Sequence, residues 1–135
     1  MRPGDIAREV ALTAQLDQPA ASLTIAGRKR LELARALAIR PKLLLLDEVL
    51  AGLNPSEVRD MVPVIRSIVD RGVAILMIEH VMQAVMSLAQ HVYVLAEGRI
   101  IADGTAEVVA SNPRVIEAYL GHSAAGRVAA MVDHG

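Results

Sequence analysis

Two pairs of polar residues end apolar stretches, and their side chains suit phosphate chemistry. Asp47 and Glu48 end one stretch, and Glu79 and His80 end another. An aspartate so placed can hold Mg²⁺, because a hard cation prefers oxygen ligands. The adjacent glutamate can orient or deprotonate water, and a histidine can hydrogen-bond a terminal phosphate. A plainer interpretation stays open, since acids after strands often cap helices or face solvent.

The segments around these pairs predict how they are positioned. Residues 43–46 and 73–78 are apolar without alternation, which is typical of strands covered on both faces. Between them a helix is predicted after Asn54, with Pro55 in its first turn and Glu57 closing a capping box. A strand, a helix and a strand imply a right-handed crossover between parallel strands. Both polar pairs should therefore meet at one sheet edge, where ligands bind.

The other segments predict helices and one hairpin. Pro41 disfavours helical backbone at Arg40 and should end a helix there. The connection at residues 96–98 contains Gly98 and is typical of a hairpin, so we expect the sheet to finish with antiparallel strands. The helix after Asn54 should end at Gly72. Its apolar residues recur at three- and four-residue spacing, which predicts the face that points into the core. Its members are Val58, Met61, Val62, Ile65, Ile68 and Val69. Further helices are predicted at residues 6–16, 27–39, 81–89, 106–110 and 113–120, hairpin strands at 92–95 and 99–102, and a loose tail at 122–135.

Composition excludes some classes of partner. The chain has 14 basic and 15 acidic residues and a net charge of -1, so no overall field attracts nucleic acid. Its longest aliphatic run, residues 73–78, is far shorter than the ~20 residues that cross a bilayer. The first residues do not resemble a signal peptide and cysteine is absent, which favours the cytoplasm.

Four short motifs, in order, resemble those of the ATP-binding cassette (ABC) ATPases. The resemblance extends over residues 23–121. It implies an α/β chain with a partial P-loop NTPase fold, in which parallel strands with helices precede a C-terminal antiparallel hairpin. Residues 23–37 resemble the signature and its helix, 43–48 the Walker B strand, 51–55 the D-loop and 78–80 the switch histidine.

The resemblance also implies roles for the residues that match. Asp47 would contribute to Mg²⁺ binding, Glu48 would be the catalytic carboxylate, and His80 would contact the γ-phosphate of ATP. The family hydrolyses ATP at a head-to-tail dimer interface, so the signature would face ATP held by a second ABC ATPase subunit. Amides exposed at a helix start attract phosphate oxygens, which suits that role. The nucleotide-binding candidates are Thr24, Ile25, Ala26, Gly27, Arg28 and the D-loop residue Asn54.

The chain departs from the family pattern in several places. Thr24 and Ala26 stand where the signature usually has Ser and Gly, and Asn54 replaces the commoner Asp. No Gly-x-x-x-x-Gly-Lys-Ser/Thr occurs, so the cradle for the β- and γ-phosphates is missing. We therefore expect this chain, by itself, to be inactive. Residues 1–121 should form the C-terminal part of an ABC ATPase domain, and residues 122–135 a tail. Within the domain we expect a signature segment at about 6–40, a core from the Walker B strand to the switch histidine at 41–91, and a hairpin with helices at 92–121.

The second half of the chain resembles the ATPases of branched-chain amino acid importers. Residues 51–55, 78–80 and especially 112–121 carry this likeness, although the spacing of Val115 and Tyr119 also fits any amphipathic helix. The implied partners are transmembrane permease subunits and, indirectly, a periplasmic or extracellular substrate-binding protein. The implied location is the inner face of the cell membrane, reached through the permease.

Two other functions share these motifs. A truncated, non-catalytic fragment could dock on an intact ABC subunit through its signature and D-loop surface. An ABC ATPase of DNA repair or chromosome maintenance would have the same motifs. The near-neutral charge, the absence of long heptad arms and the ending at residues 116–121 weigh against the DNA-repair function.

Overall fold

A computed structural model describes residues 2–120, without the side chain of Leu120, in two units. The first unit ends at Ala84 and the second begins at Val85. The tail predicted at residues 122–135 lies outside the described residues. The first unit contains helix α1 (Pro3–Glu9), helix α2 (Ile25–Ala38), strand β1 (Leu43–Asp47), helix α3 (Pro55–Asp70), strand β2 (Ala74–Ile78) and the start of helix α4 (Met82–Leu88).

The first unit contains the parallel strand pair predicted from the sequence, with helix α3 between the two strands. Strands β1 and β2 pair in parallel, with Leu43 opposite Ala74 and Asp47 opposite Ile78. The prediction that β1 and β2 are covered on both faces is wrong for the described residues, and none of the five residues of β2 is buried. Leu44 and Leu46 are buried, whereas Leu43 and Leu45 are 55% and 65% exposed. Successive residues of β1 point to opposite faces of the sheet, and only the face with Leu44 and Leu46 is buried.

Helix α3 begins with the predicted capping box. The Asn54 side chain accepts from the Glu57 N–H at 2.8 Å, and Glu57 Oε1 accepts from the Asn54 N–H at 3.1 Å. The prediction that Val62 and Val69 face inward is wrong, because Val62 is partly exposed and Val69 is 38% exposed. The buried stripe is centred on Met61 and Ile68, so those valines fall beyond one edge. Its members are Val58, Met61, Val64, Ile65 and Ile68.

The helices before β1 differ in how well the sequence predicted them. Helix α2 begins two residues earlier than predicted, because Thr24 caps it. The helix predicted at residues 6–16 is wrong after Glu9. Ala11 has a φ of +58°, which no right-handed helix accommodates, and residues Thr13–Gln15 form a separate 3₁₀ turn. The turn at Ala11 allows Val10 and Leu12, on either side of it, to be buried.

The second unit contains the predicted hairpin. Its strands, β3 (Val92–Ala96) and β4 (Arg99–Gly104), pair antiparallel. The two residues of the turn, Glu97 and Gly98, both have positive φ, as tight hairpin turns require. This pair forms a two-stranded sheet of its own, so the expectation of one continuous sheet is wrong for the described residues. Helix α5 (Ala106–Ala110) and helix α6 (Pro113–Val115), which continues as a π-turn over Ile116–Leu120, follow it.

Among the described residues, no helix is long and apolar enough to span a bilayer.

Candidate functional site

The carboxyl ends of β1 and β2 lie at one sheet edge, as expected. Asp47 is in register with Ile78, and the Glu48 N–H donates to the Ile78 carbonyl at 2.8 Å. This bond extends the strand pairing by one residue. Glu48 therefore leaves the sheet directly beside the segment that carries His80.

Glu48 and His80 form a contact at this edge. The Nδ1 atom of His80 lies 3.1 Å from Oε1 of Glu48, and the two side chains are 63% and 52% exposed. A carboxylate can only accept, so the hydrogen of this bond belongs to Nδ1 and Nε2 is left for another partner. Glu48 has a φ of +50°, a left-handed conformation that costs a non-glycine residue about 1–2 kcal/mol. The first unit thus holds Glu48 in an unfavourable backbone conformation at this site.

Glu79 lies on the inner side of the same edge. Its side chain is 1% exposed, and Oε1 accepts from the backbone N–H groups of His80 and Val81 at 3.1 and 3.4 Å. The sequence drew attention to Glu79 as part of a polar pair but predicted no role for it. Its position directly before His80, at the end of an apolar strand, was the only signal.

Asp47 is exposed at the end of β1 and supplies one carboxylate to this edge. Within residues 2–120, no three His, Cys, Asp or Glu side chains are grouped so that they could hold a metal ion by themselves. A single exposed carboxylate suits Mg²⁺, which usually binds one or two carboxylates and completes its shell with water and substrate phosphates. The residues present therefore fit a magnesium ion that arrives with a nucleotide.

The signature segment forms the first turn of α2. The Thr24 hydroxyl accepts from the Gly27 N–H at 3.1 Å, which orders this turn. Ile25 is 56% exposed, whereas Ala26 and Gly27 are partly buried. Arg28 is exposed, but its Nη2 donates to the Ala21 carbonyl at 3.0 Å. The segment therefore presents an ordered helix start, while the guanidinium of Arg28 is partly engaged within the chain.

The D-loop passes close to the signature segment. A Cβ atom added to Gly52, whose φ is +82°, would lie 3.7 Å from Cγ2 of Ile25. Asn54, two residues later, uses its side-chain oxygen to cap α3. The structure thus brings the signature and the D-loop together, and separately brings Asp47, Glu48 and His80 together. Within residues 2–120, no side-chain hydrogen bond or ion pair joins the residues of these two groups.

Comparison with known protein families and sequences gives consistent results. Residues 99–125 match the family model described as "Branched-chain amino acid ATP-binding cassette transporter". The branched-chain amino acid transport ATP-binding protein BraF of Pseudomonas aeruginosa is 43% identical over 116 residues, which are 85% of this chain and 46% of BraF. LivG of Escherichia coli, of the same description, is 37% identical over 84% of this chain and 45% of LivG. The chain thus spans about half the length of these relatives.

Solved structures give the same assignment. The ADP conformation of MJ1267, an ATP-binding cassette of an ABC transporter, superposes with a TM-score of 0.80 at 31% identity, over 89% of this chain and 49% of MJ1267. The cbiO1 protein from Clostridium perfringens gives a TM-score of 0.76 at 28% identity, over 85% of this chain and 46% of cbiO1. Sequence and fold agree, and the chain belongs to the ABC ATPases, where it corresponds to the C-terminal portion of an ATP-binding protein of the branched-chain amino acid transporter type.

Proposed function

We propose that this chain is the C-terminal part of the ATP-binding subunit of an ABC importer that couples ATP hydrolysis to uptake of branched-chain amino acids. The observation that carries the proposal is the contact between Glu48 and His80 at the carboxyl edge of the parallel sheet. The relatives BraF and LivG, whose names describe branched-chain amino acid transport, support the choice of substrate.

The proposed chemistry assigns one task to each polar side chain at this edge. Asp47 is the carboxylate that would hold Mg²⁺, which when bound neutralises charge on the phosphates. Glu48 orients and deprotonates the attacking water, and its 52% exposure leaves room for that water. His80 contacts the γ-phosphate through the ring nitrogen that Glu48 does not engage.

The proposed active site is completed by a second subunit. The ordered helix start at Thr24, Ile25, Ala26, Gly27 and Arg28, together with Asn54, would face ATP held by that subunit in a head-to-tail dimer. The subunits would sit on the inner face of the membrane against permease subunits. Support for such an assembly comes from cbiO1, which is described as part of the ABC transporter complex cbiONQ.

The phosphate loop must come from a polypeptide equivalent to the rest of BraF, because no such loop occurs in these 135 residues. The term "completed protein" is used below for this chain joined to the N-terminal half of a related importer ATPase. The direct test is uptake of radiolabelled leucine by bacteria that lack their own ATPase for this transport. We expect the completed protein to restore uptake and its Glu48→Gln variant to fail. If both restore uptake equally, Glu48 does not drive transport.

A second candidate is a non-catalytic fragment that docks on an intact ABC subunit. It would dock through its signature and D-loop surface, and the exposed face of the β1–β2 sheet, where Leu45 is 65% exposed, also favours association with another polypeptide. The two candidates differ in one experiment, in which the tagged 135-residue chain is expressed beside an intact relative. The docking candidate predicts that the chain copurifies with the relative and lowers its ATPase rate. The catalytic candidate predicts hydrolysis that depends on Glu48 once the missing half is supplied.

A further inference from the structure

The carboxylate of Glu79 is buried, although the proposed chemistry gives it no task. Its side chain is 1% exposed, and its Oε2 atom has no hydrogen-bond partner among the described residues. A buried polar atom without a partner costs about 1–3 kcal/mol. An apolar side chain would fill this space without that cost, so packing alone does not account for a glutamate here.

The other oxygen of Glu79 organises the turn that follows β2. Oε1 accepts from two consecutive backbone N–H groups, those of His80 and Val81. Hydrogen bonds to a charged acceptor are stronger than those between neutral groups. Both amides lie between the end of β2 and the start of α4, where neither strand pairing nor helix bonding would satisfy them. Glu79 thus fixes the backbone from which the ring of His80 projects.

The Nδ1 atom of His80 faces two carboxylates. This atom is 3.1 Å from Oε1 of Glu48 and 3.9 Å from Oε1 of Glu79. Both acids therefore favour a hydrogen on Nδ1 and keep that side of the ring turned towards them. We propose that Glu79 is a positioning residue for His80, which holds Nδ1 against Glu48 and leaves Nε2 for an anionic ligand such as the terminal phosphate of a nucleotide. The contact between Nε2 and a nucleotide phosphate rests on the proposed ATPase activity, whereas the orientation of the His80 ring by Glu79 does not.

The test compares three variants of the 135-residue chain. Glu79→Gln keeps an acceptor oxygen for the two amides, and Glu79→Met removes both oxygens at similar volume. Glu107→Met makes the same change at an exposed glutamate and is the matched control. Two NMR measurements are made on each chain: hydrogen exchange of the His80 and Val81 amides, and the ¹⁵N shifts of the His80 ring, which show the nitrogen that carries the hydrogen.

We expect Glu79→Met to speed exchange of both amides about tenfold and to move the ring shifts towards those of a free imidazole. Glu79→Gln and Glu107→Met should keep the parental exchange and ring shifts. Thermal unfolding monitored by circular dichroism checks that each variant is folded. If Glu79→Met does not fold, Glu79→Gln decides. A folded Glu79→Gln chain with the ring shifts of free imidazole overturns the proposal, as does a folded Glu79→Met chain with parental shifts.

The same substitutions in the completed protein separate this inference from the proposed function. Glu79→Met should lower kcat about tenfold with little change in KM for Mg-ATP, since Glu79 is placed to act through His80 and not on the nucleotide. Glu79→Gln should restore most of that rate. An equal loss of rate in Glu79→Met and Glu79→Gln would contradict the proposal that Glu79 positions the ring of His80. If the completed parent does not hydrolyse ATP, the proposed function fails, and the NMR result still decides whether Glu79 orients the ring.

Discussion

The Nδ1 atom of His80 lies 3.1 Å from Oε1 of Glu48, although the two residues are 32 positions apart. Parallel pairing of β1 with β2 brings them together, and the bond from the Glu48 N–H to the Ile78 carbonyl fixes the register. A slip of one residue would turn these side chains to the other face of the sheet. The placement of the candidate site is therefore a consequence of strand register.

In the completed protein, we expect Glu48→Gln to lower ATP turnover by a factor of about 100 or more, the usual contribution of a general base. ATP binding and the closed dimer should persist, because the amide keeps the shape of the side chain and reduces repulsion with the phosphates. Steady-state phosphate release and equilibrium nucleotide binding measure the two effects. Glu97→Gln, in the exposed hairpin turn, is the control. Hydrolysis by Glu48→Gln within a few-fold of the parent would remove Glu48 from the mechanism.

The His80→Ala change should also abolish turnover in the completed protein, because the γ-phosphate loses a contact. The chain offers a matched control in His91, whose Nε2 atom lies 3.1 Å from Oδ2 of Asp103 and whose side chain is 49% exposed. Each of these two histidines has a ring nitrogen 3.1 Å from a carboxylate oxygen, but of the two only His80 lies at the edge of the β1–β2 sheet. His91→Ala should keep the parental rate. Equal rates for the two variants would leave His80 as an ordinary surface histidine.

Asn54 has two proposed roles, as a helix cap and as a nucleotide contact, and substitution separates them. Asn54→Ala should lower the free energy of unfolding by about 1 kcal/mol, since the Glu57 N–H loses its acceptor. Asn54→Asp keeps the cap and should keep the stability. Urea unfolding of the 135-residue chain measures the first role, and ATP turnover of the completed protein measures the second. A full rate in Asn54→Ala, after correction for stability, would restrict Asn54 to capping.

The buried stripe of α3 should dominate the stability of the first unit. Ile68 is 0% exposed, so Ile68→Ala should cost about 2–5 kcal/mol through lost burial and a residual cavity. Ile39 is 81% exposed, and the same change there should cost much less. Urea unfolding curves of the Ile68→Ala and Ile39→Ala chains measure the loss of unfolding free energy at each position. Similar losses at both positions would contradict the assignment of the core.

Features encoded by neighbouring residues could be predicted from the sequence. The capping box at Asn54 and Glu57 involves residues three positions apart, and the turn at Gly98 needs only local backbone freedom. The shared edge of β1 and β2 followed from the crossover rule. These local and topological rules were enough to place Asp47, Glu48 and His80 at one edge.

Features that depend on distant packing could not be predicted in the same way. The left-handed residue Ala11, which ends the regular helix early, is an alanine and so gives no sequence signal. The apolar run in β1 predicted that both faces of the strand are buried, but Leu43 and Leu45 are exposed in the part of the chain that the structure describes. The burial of Glu79 depends on its surroundings in the folded unit, and a polar residue after a strand usually faces solvent. Composition and spacing hold no information on these three outcomes.

The proposed function is tested most sharply by a steady-state phosphate-release assay with Mg-ATP. The purified 135-residue chain is measured alone and mixed with a separately made N-terminal half from a related importer ATPase. We predict no turnover by the chain alone, because these 135 residues contain no phosphate loop. Mixing should produce turnover that disappears when the chain carries Glu48→Gln. Turnover by the chain alone that disappears in Glu48→Gln would overturn the assignment of this chain as one part of an active site, since the chain would then hold a complete one.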